Sequence, residues 1–171
     1  MNRQHTREEY MDLVDNIYKI VPEMALSQDM IAGFCGETDQ DHQDTLDLME
    51  HVKYSFGFMF AYSERPGTLA AKKMEDDVPL EVKKKRLQEI IHLQQEHSLY
   101  RTREQLGQVQ EVLIEGTSKK SDAHWKGRNT QNTVVVFPKE KYKLGDFVMV
   151  QINDCTSTTL IGEAKGYSDN N

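Results

Sequence analysis

An α/β segment joined by a long helix to a small antiparallel β-barrel is the architecture expected of this 171-residue chain. Three observations support it. Up to about residue 78, apolar positions switch between helical and strand spacing in the order helix, strand, helix, strand, which is α/β grammar. Helical spacing then runs unbroken from about 80 to 106. Beyond it come four or five short β segments punctuated by Gly, Asn and Pro, the spacing of a small barrel.

The first helix lies in "HTREEYMDLVDNIYKIVP". Thr6 and Glu9 form a capping-box pair, and Tyr10, Leu13, Val14, Ile17 and Val21 repeat along one face until Pro22. "ALSQDMIAGF" follows as a short, mostly buried strand closed by Gly33 and Gly36. Thr38 opens a second helix that runs to about His51–Val52. In "YSFGFMFAYS", Phe56, Phe58 and Phe60 share one face, while Gly57, Met59 and Ala61 share the other. The two strands should be parallel. The phenylalanines are expected in a core rather than on a base-stacking platform.

"SERPGT" makes a loop, and Asp77 and Pro79 introduce the long helix, Leu80 to Leu106, stopped by Gly107. At ~1.5 Å per residue it spans about 40 Å, enough to connect two bodies. Its "KKKR" run, Lys83 to Arg86, is expected to be a solvated face. "QVQEVLIEG", "NTVVVFP", "GDFVMVQIND" and "TLIGEAKG" supply the barrel strands. The boundaries expected are thus 1–78 for the α/β piece, 79–107 for the linking helix, 108–166 for the barrel and 167–171 for a disordered tail. Two parallel strands with two helices cannot bury both faces and both edges of a sheet. The α/β piece therefore reads as the end of a larger domain, and self-association through residues 25–61 is expected.

The net charge of −7 is uneven. Residues 1–107 hold 13 Lys/Arg against 20 Asp/Glu, whereas 108–171 hold 8 of each. Bulk charge does not mark a nucleic-acid binder, so such a role needs a local patch. No apolar run approaches the ~20 residues of a membrane helix, and no leader is seen, so the cytoplasm is the expected location. Cys35 and Cys155 have no partners at metal-ligand spacing, and the six histidines form no set. No metal site is expected.

Several of these stretches carry a family resemblance. "DMIAGFCGETDQDHQDTLDLM", "FMFAYSERPGT" and "DDVPLEVKKKRL" resemble the later strands of the partial (β/α) barrel of radical-SAM methylthiotransferases. "VLIEGTSKK", "GRNTQNTVVVF" and "GDFVMVQIND" resemble the TRAM domain, an OB-like barrel, that ends those enzymes. "YSERPGT" and "EGTSKKS…GRNTQN" fit the tRNA-modifying branch better than the ribosomal-protein-modifying one. The resemblance implies an activity that uses two [4Fe–4S] clusters and S-adenosylmethionine to place sulfur and methyl on an isopentenylated adenosine beside the anticodon. The cofactors supply that chemistry and the protein positions it. The family's CxxxCxxC motif and its three N-terminal-domain cysteines have no counterpart here. The chain is therefore expected to be a fragment that binds tRNA, binds no cofactor alone and catalyses nothing. The alternative is a free-standing RNA-binding or assembly module.

Site residues follow from the same resemblance. Cys35 matches a turn position that need not be cysteine. Barrel enzymes place ligands at strand C-terminal ends, so Asp29, Gly33 and Glu37 could approach the S-adenosylmethionine side. Locally, Glu37 could instead serve the helix start and Asp29 could cap a neighbour. Arg65 faces the same mouth and is placed with those three on the S-adenosylmethionine side; it could bind a carboxylate or phosphate, or form a loop-fixing salt bridge with Glu64 or a neighbour. Lys119, Lys120, Lys126 and Arg128 are expected to form one basic patch for the anticodon stem-loop. Asn129, Gln131 and Asn132 could reach bases or 2′-hydroxyls. Trp125 fits either a stacking surface or the barrel core. Lys139, Lys141 and Lys143 read as a solvated edge.

Overall fold

The computed structural model describes residues 4–169. The chain divides between His97 and Ser98 into two compact units, each with its own apolar core.

The first unit begins with α1 (Arg7–Ile20), whose Thr6–Glu9 capping box is fully formed. Strand β1 (Ser27–Ala32), helix α2 (Asp39–Val52) and strand β2 (Phe56–Ala61) follow. A second capping box, Thr38 with Asp41, starts α2. After the short helix α3 (Leu69–Lys73) comes α4 (Leu80–Arg103), which contains the division between the units. β1 and β2 are parallel, with Ser27 opposite Phe56 and Ala32 opposite Ala61.

Paired residues of a parallel sheet point the same way, so the two faces can be read directly. Met30, Ala32 and Met59 point into a core of Val14, Met49, Val52, Tyr54 and Ile90. Tyr54 is buried, bonds the Tyr10 hydroxyl at 2.9 Å, and receives the Gln94 amide on its carbonyl at 2.8 Å. Three histidine–carboxylate pairs fasten α2 to its neighbours. His42 meets Glu89 at 2.6 Å and His97 meets Glu50 at 3.3 Å, both across to α4, and His51 meets Asp15 of α1 at 2.8 Å.

The opposite face carries Asp29, Ile31, Phe56, Phe58 and Phe60, all exposed. The phenylalanines expected in a core therefore lie outside it: Phe58 and Phe60 are about 60% exposed. Helices cover one side of the sheet only, so β1 is half-buried rather than mostly buried.

The second unit is a closed barrel of β3 (Val109–Ser118), β4 (Ser121–Asn129), β5 (Val134–Pro138), β6 (Phe147–Cys155) and β7 (Thr159–Tyr167). Around the ring they run β3-β4-β5-β7-β6. Four of the five pairings are antiparallel, as expected of the barrel, but β5 and β7 are parallel. Directions cannot alternate around a ring with an odd number of members, so one parallel pair is unavoidable. Alternate residues fill the interior with Val112, Ile114, Val135, Phe137, Val148, Val150, Ile152 and Leu160.

The end of α4 belongs to this unit. Thr102 donates its hydroxyl to the Thr156 carbonyl at 2.8 Å, Gln105 accepts from the Asn129 amide at 2.8 Å, and the Gly107 N–H reaches the Ile152 carbonyl at 2.9 Å. Tyr167 and Ser168, expected in a disordered tail, are bonded into the barrel. Tyr167 closes β7 with its ring edge-on to Tyr142, and buried Ser168 donates its N–H to the Phe147 carbonyl at 2.9 Å. Residues 170 and 171 lie outside the described residues.

Gly127 sits where β4 crosses β3 with no room for a side chain: a Cβ there would stand 2.3 Å from the Leu113 carbonyl oxygen. Because that obstacle is backbone, Gly127→Ala should cost about 2 kcal/mol. Urea unfolding followed by Trp125 fluorescence reads the barrel directly and should show the loss.

Candidate functional site

The loop between β1 and α2 is where the strand ends meet helix α4. Gly33 and Gly36 both adopt left-handed backbone, φ +73° and +76°. At Gly33 a side chain is doubly excluded, because its Cβ would stand 2.3 Å from Cγ of Lys83. Glu37 closes the turn: one carboxylate oxygen accepts from the Gly33 and Phe34 N–H groups at 2.9 and 3.3 Å. The other takes Arg86 at 2.9 Å, and Arg86 also reaches the Glu37 carbonyl at 3.0 Å and Asp39 at 2.7 Å. Asp77 accepts the Gly36 N–H at 2.7 Å, while Lys83 pairs with Asp76 beneath the Tyr62 ring.

Lys83 and Arg86 are thus buried, about 5% exposed, where a solvated run was expected. They lie three apart and share the inner face of α4, leaving Lys84 and Lys85 to solvent. The Asp76–Asp77 pair just before the helix, together with that i,i+3 spacing, was the available signal. Gly33 and Glu37, expected to approach a cofactor, are held in the turn by these hydrogen bonds. Cys35 is a buried free thiol in the same turn. Its hydrogen bond to Tyr62, followed by burial, pushes the Tyr62 phenol up to about 12.

Asp29 and Arg65 keep open surroundings but do not meet. Asp29 lines a groove of about 860 Å³ with His5, Arg7, Tyr10 and Gln28. Arg65 lines a second cavity of about 680 Å³ beside the strand ends, and the two share Ile31, Phe34 and Met74. The loop backbone is fixed, since the Arg65 carbonyl accepts both the N–H and the hydroxyl of Thr68, the N-cap of α3. Glu64 and Arg65 are both exposed on this loop.

On the barrel the expected single basic patch separates into two. Lys119 and Lys120 stand exposed at the β3–β4 turn. Arg128 lies eight positions along an extended strand, about 26 Å away at ~3.3 Å per residue. Lys126 and Arg128 both face Glu115 at 3.4 Å, and Arg128 also donates to the Asn132 carbonyl at 2.7 Å and to its side chain at 3.2 Å. Asn132 holds the left-handed turn position, φ +61°. Asn129 is buried and bonded to Gln105 and the Thr133 N–H, so it is structural rather than base-reading.

Trp125 packs half-buried against the barrel core, and Lys139 lies over its ring at 4.4 Å while donating to Thr117 at 2.8 Å. Lys139, read as edge solvation, therefore stands at Thr117, two positions before Lys119, where β3 and β4 carry Thr117 opposite Trp125. That cross-strand neighbour was not visible in sequence.

Among the described residues no three His, Cys, Asp or Glu side chains gather as a metal site. The two thiols fall in different units. These side chains do not fit an iron–sulfur cluster.

An α/β unit with an open strand-end mouth, followed by a closed barrel with a basic hairpin tip, defines a protein of the TRAM-bearing class: residues 103–165 match the TRAM domain. The whole chain is 63% identical to the tRNA-2-methylthio-N(6)-dimethylallyladenosine synthase of Christiangramia forsetii and 61% identical to that of Flavobacterium psychrophilum. It is 51% identical over 164 residues to the synthase of Chloroherpeton thalassium. The chain spans 36% of the length of each of these relatives. From end to end it corresponds to the C-terminal, TRAM-bearing region of tRNA-2-methylthio-N(6)-dimethylallyladenosine synthases.

Two predictions arise from the Arg86 bracket. Arg86→Met leaves Glu37 half-buried without its cation and should cost on the order of 3 kcal/mol, measured by thermal unfolding. The Arg86 hydrogen bond and charge hold the Asp39 carboxyl below its usual range. Burial pushes Glu50 up, but its bonds to His97 and Lys53 outweigh that and hold it below as well. A depressed carboxylate stabilises the fold above its ordinary range and loses that contribution as pH falls through its folded-state value. Acid unfolding by circular dichroism should therefore set in below about pH 4, and Asp39→Asn should make the dependence shallower.

Proposed function

We propose that this chain is the tRNA-holding part of a methylthiotransferase that converts N(6)-isopentenyladenosine beside the anticodon to its 2-methylthio form, acting in the cytoplasm. The observation that carries the reading is the 63% and 61% identity, over the whole of this chain, to synthases named for that product. The Lys119–Lys120 turn with Lys139 would hold phosphates of the anticodon stem-loop and position it without reading sequence. Lys126 and Arg128 are already shared with Glu115 and would contribute less.

The first unit would be the closing part of a radical-SAM partial barrel. Its strands are parallel, its helices lie on one side, and the Asp29–Phe58 face would line the lumen. Two [4Fe–4S] clusters and S-adenosylmethionine would supply sulfur insertion and hydrogen abstraction in an intact enzyme, with their ligands outside this chain. Asp29 would face the S-adenosylmethionine side and Arg65 the substrate mouth. Alone, the chain would catalyse nothing.

A labelled, isopentenylated anticodon stem-loop titrated by anisotropy tests the reading. Three phosphate contacts should weaken binding about 20-fold between roughly 50 and 200 mM salt. Lys119→Glu with Lys120→Glu should abolish most of that dependence, whereas Arg128→Ala should change it little. Absence of binding at low salt would defeat the proposal. The uncovered Ile31–Phe60 face should also drive self-association through residues 25–61, visible as concentration-dependent light scattering and relieved by Phe58→Lys.

A further inference from the structure

We propose that the Tyr167 ring and the Lys141 ammonium beside it take up one unpaired nucleotide of the RNA, base against ring and phosphate against ammonium. The inference rests on the tRNA reading above and adds a contact beyond the Lys119–Lys120 turn and Lys139.

Strand pairing gathers these residues at one end of the barrel. β4 and β5 carry His124 opposite Pro138, and the Lys139 N–H reaches the Ala123 carbonyl at 2.8 Å, so β5 leaves the wall beside the β3–β4 turn. The segment from 139 to 146 then returns to β3, where the Gly145 N–H meets the Ile114 carbonyl at 3.0 Å. Tyr167 closes β7 opposite Val148, at the start of β6. Charge follows the same division. Positions 119–124 and 139–146 hold five lysines against three carboxylates, and the rest of 108–171 holds three basic residues against five acidic ones. A barrel neutral as a whole is therefore basic at this end, which suits a polyanion.

The aromatic pair locates the contact within that end. Tyr142 is buried in the barrel core, and its ring meets Tyr167 at 5.0 Å and 73°. That contact holds the Tyr167 ring in place while leaving the residue 47% exposed. The backbone just beyond is fixed as well, through the Ser168 N–H on the Phe147 carbonyl. Lys141 Nζ stands 5.7 Å from the Tyr167 ring centre and 5.8 Å from that of Tyr142. An apolar partner would have to desolvate this ammonium, whereas a nucleotide brings a flat π face and an anion together. In a paired stem the base faces are stacked on one another, so only an unpaired base has a face to offer.

The test uses the full chain carrying Phe58→Lys, which keeps it monomeric, and three labelled RNAs followed by anisotropy: the anticodon stem-loop, the same stem as a blunt duplex, and a short oligoadenylate. Tyr167→Leu keeps an apolar side chain against Tyr142 but removes the ring. It should weaken the stem-loop and the oligoadenylate about tenfold with the salt dependence unchanged, and should leave the duplex unaffected. Tyr167→Trp alters the packing but keeps a ring, so it should bind both at least as tightly as the parent chain. Lys141→Ala should lower the slope of log affinity against log salt by about one for the two RNAs with unpaired bases. Unchanged stem-loop affinity in Tyr167→Leu, an equal loss on the duplex, or the same loss in Tyr167→Trp overturns the proposal. If the oligoadenylate binds through Tyr167 while the stem-loop fails to bind, the tRNA reading falls and the stacking contact stands. If the parent chain binds neither, both fall.

Discussion

A sheet of two parallel strands, covered by helices on one face only, is the constraint from which the first unit's features follow. Residues of one parity build the core with Val14, Met49, Val52 and Ile90. Residues of the other parity, Asp29, Ile31 and the three phenylalanines, are left without a covering layer. Parallel pairing also sends both strand ends to the same edge, so the loops after β1 and β2 converge and the two cavities form side by side. The same geometry produces an exposed apolar face and a mouth.

What keeps that mouth in shape is a pair of buried cations reaching from α4. Arg86 is bound by two carboxylates and a carbonyl, and Lys83 by Asp76, so neither charge is left unanswered. Ion pairs this buried roughly balance their desolvation and add little net stability, but losing one partner strands the other. Their effect is therefore geometric: the 33–37 turn has one place to sit. Glu37 contributes to it through both oxygens.

In the barrel, closure decides which charges act together. β4 is extended, so basic residues close in sequence are spread along a strand and lie at its opposite ends. Glu115 quenches the pair at one end, and a cation from β5's exit, Lys139, comes alongside the other by way of the Trp125 ring and Thr117. The odd strand number requires one parallel pair, here β5–β7, and Tyr167 joins the wall through its antiparallel pairing with Val148 of β6.

Much of this was legible in local pattern. The capping boxes at Thr6 and Thr38, the strand alternation, the parallel order of β1 and β2 and the barrel strands all follow from periodicities that a few neighbouring residues enforce by themselves. The quoted motifs likewise carry the kinship in local sequence alone. Contacts between distant positions were not legible, because sequence spacing does not carry distance across a fold. That Lys83 and Arg86 turn inward depends on Glu37, Asp39 and Asp76 arriving opposite them. That Phe56, Phe58 and Phe60 lie bare depends on which side of the sheet the helices take. Local periodicity determined the elements and their order; the pairing of charges, the exposed face and the cavities were decided only when the chain closed on itself, since burial and electrostatics act through space and not along the chain.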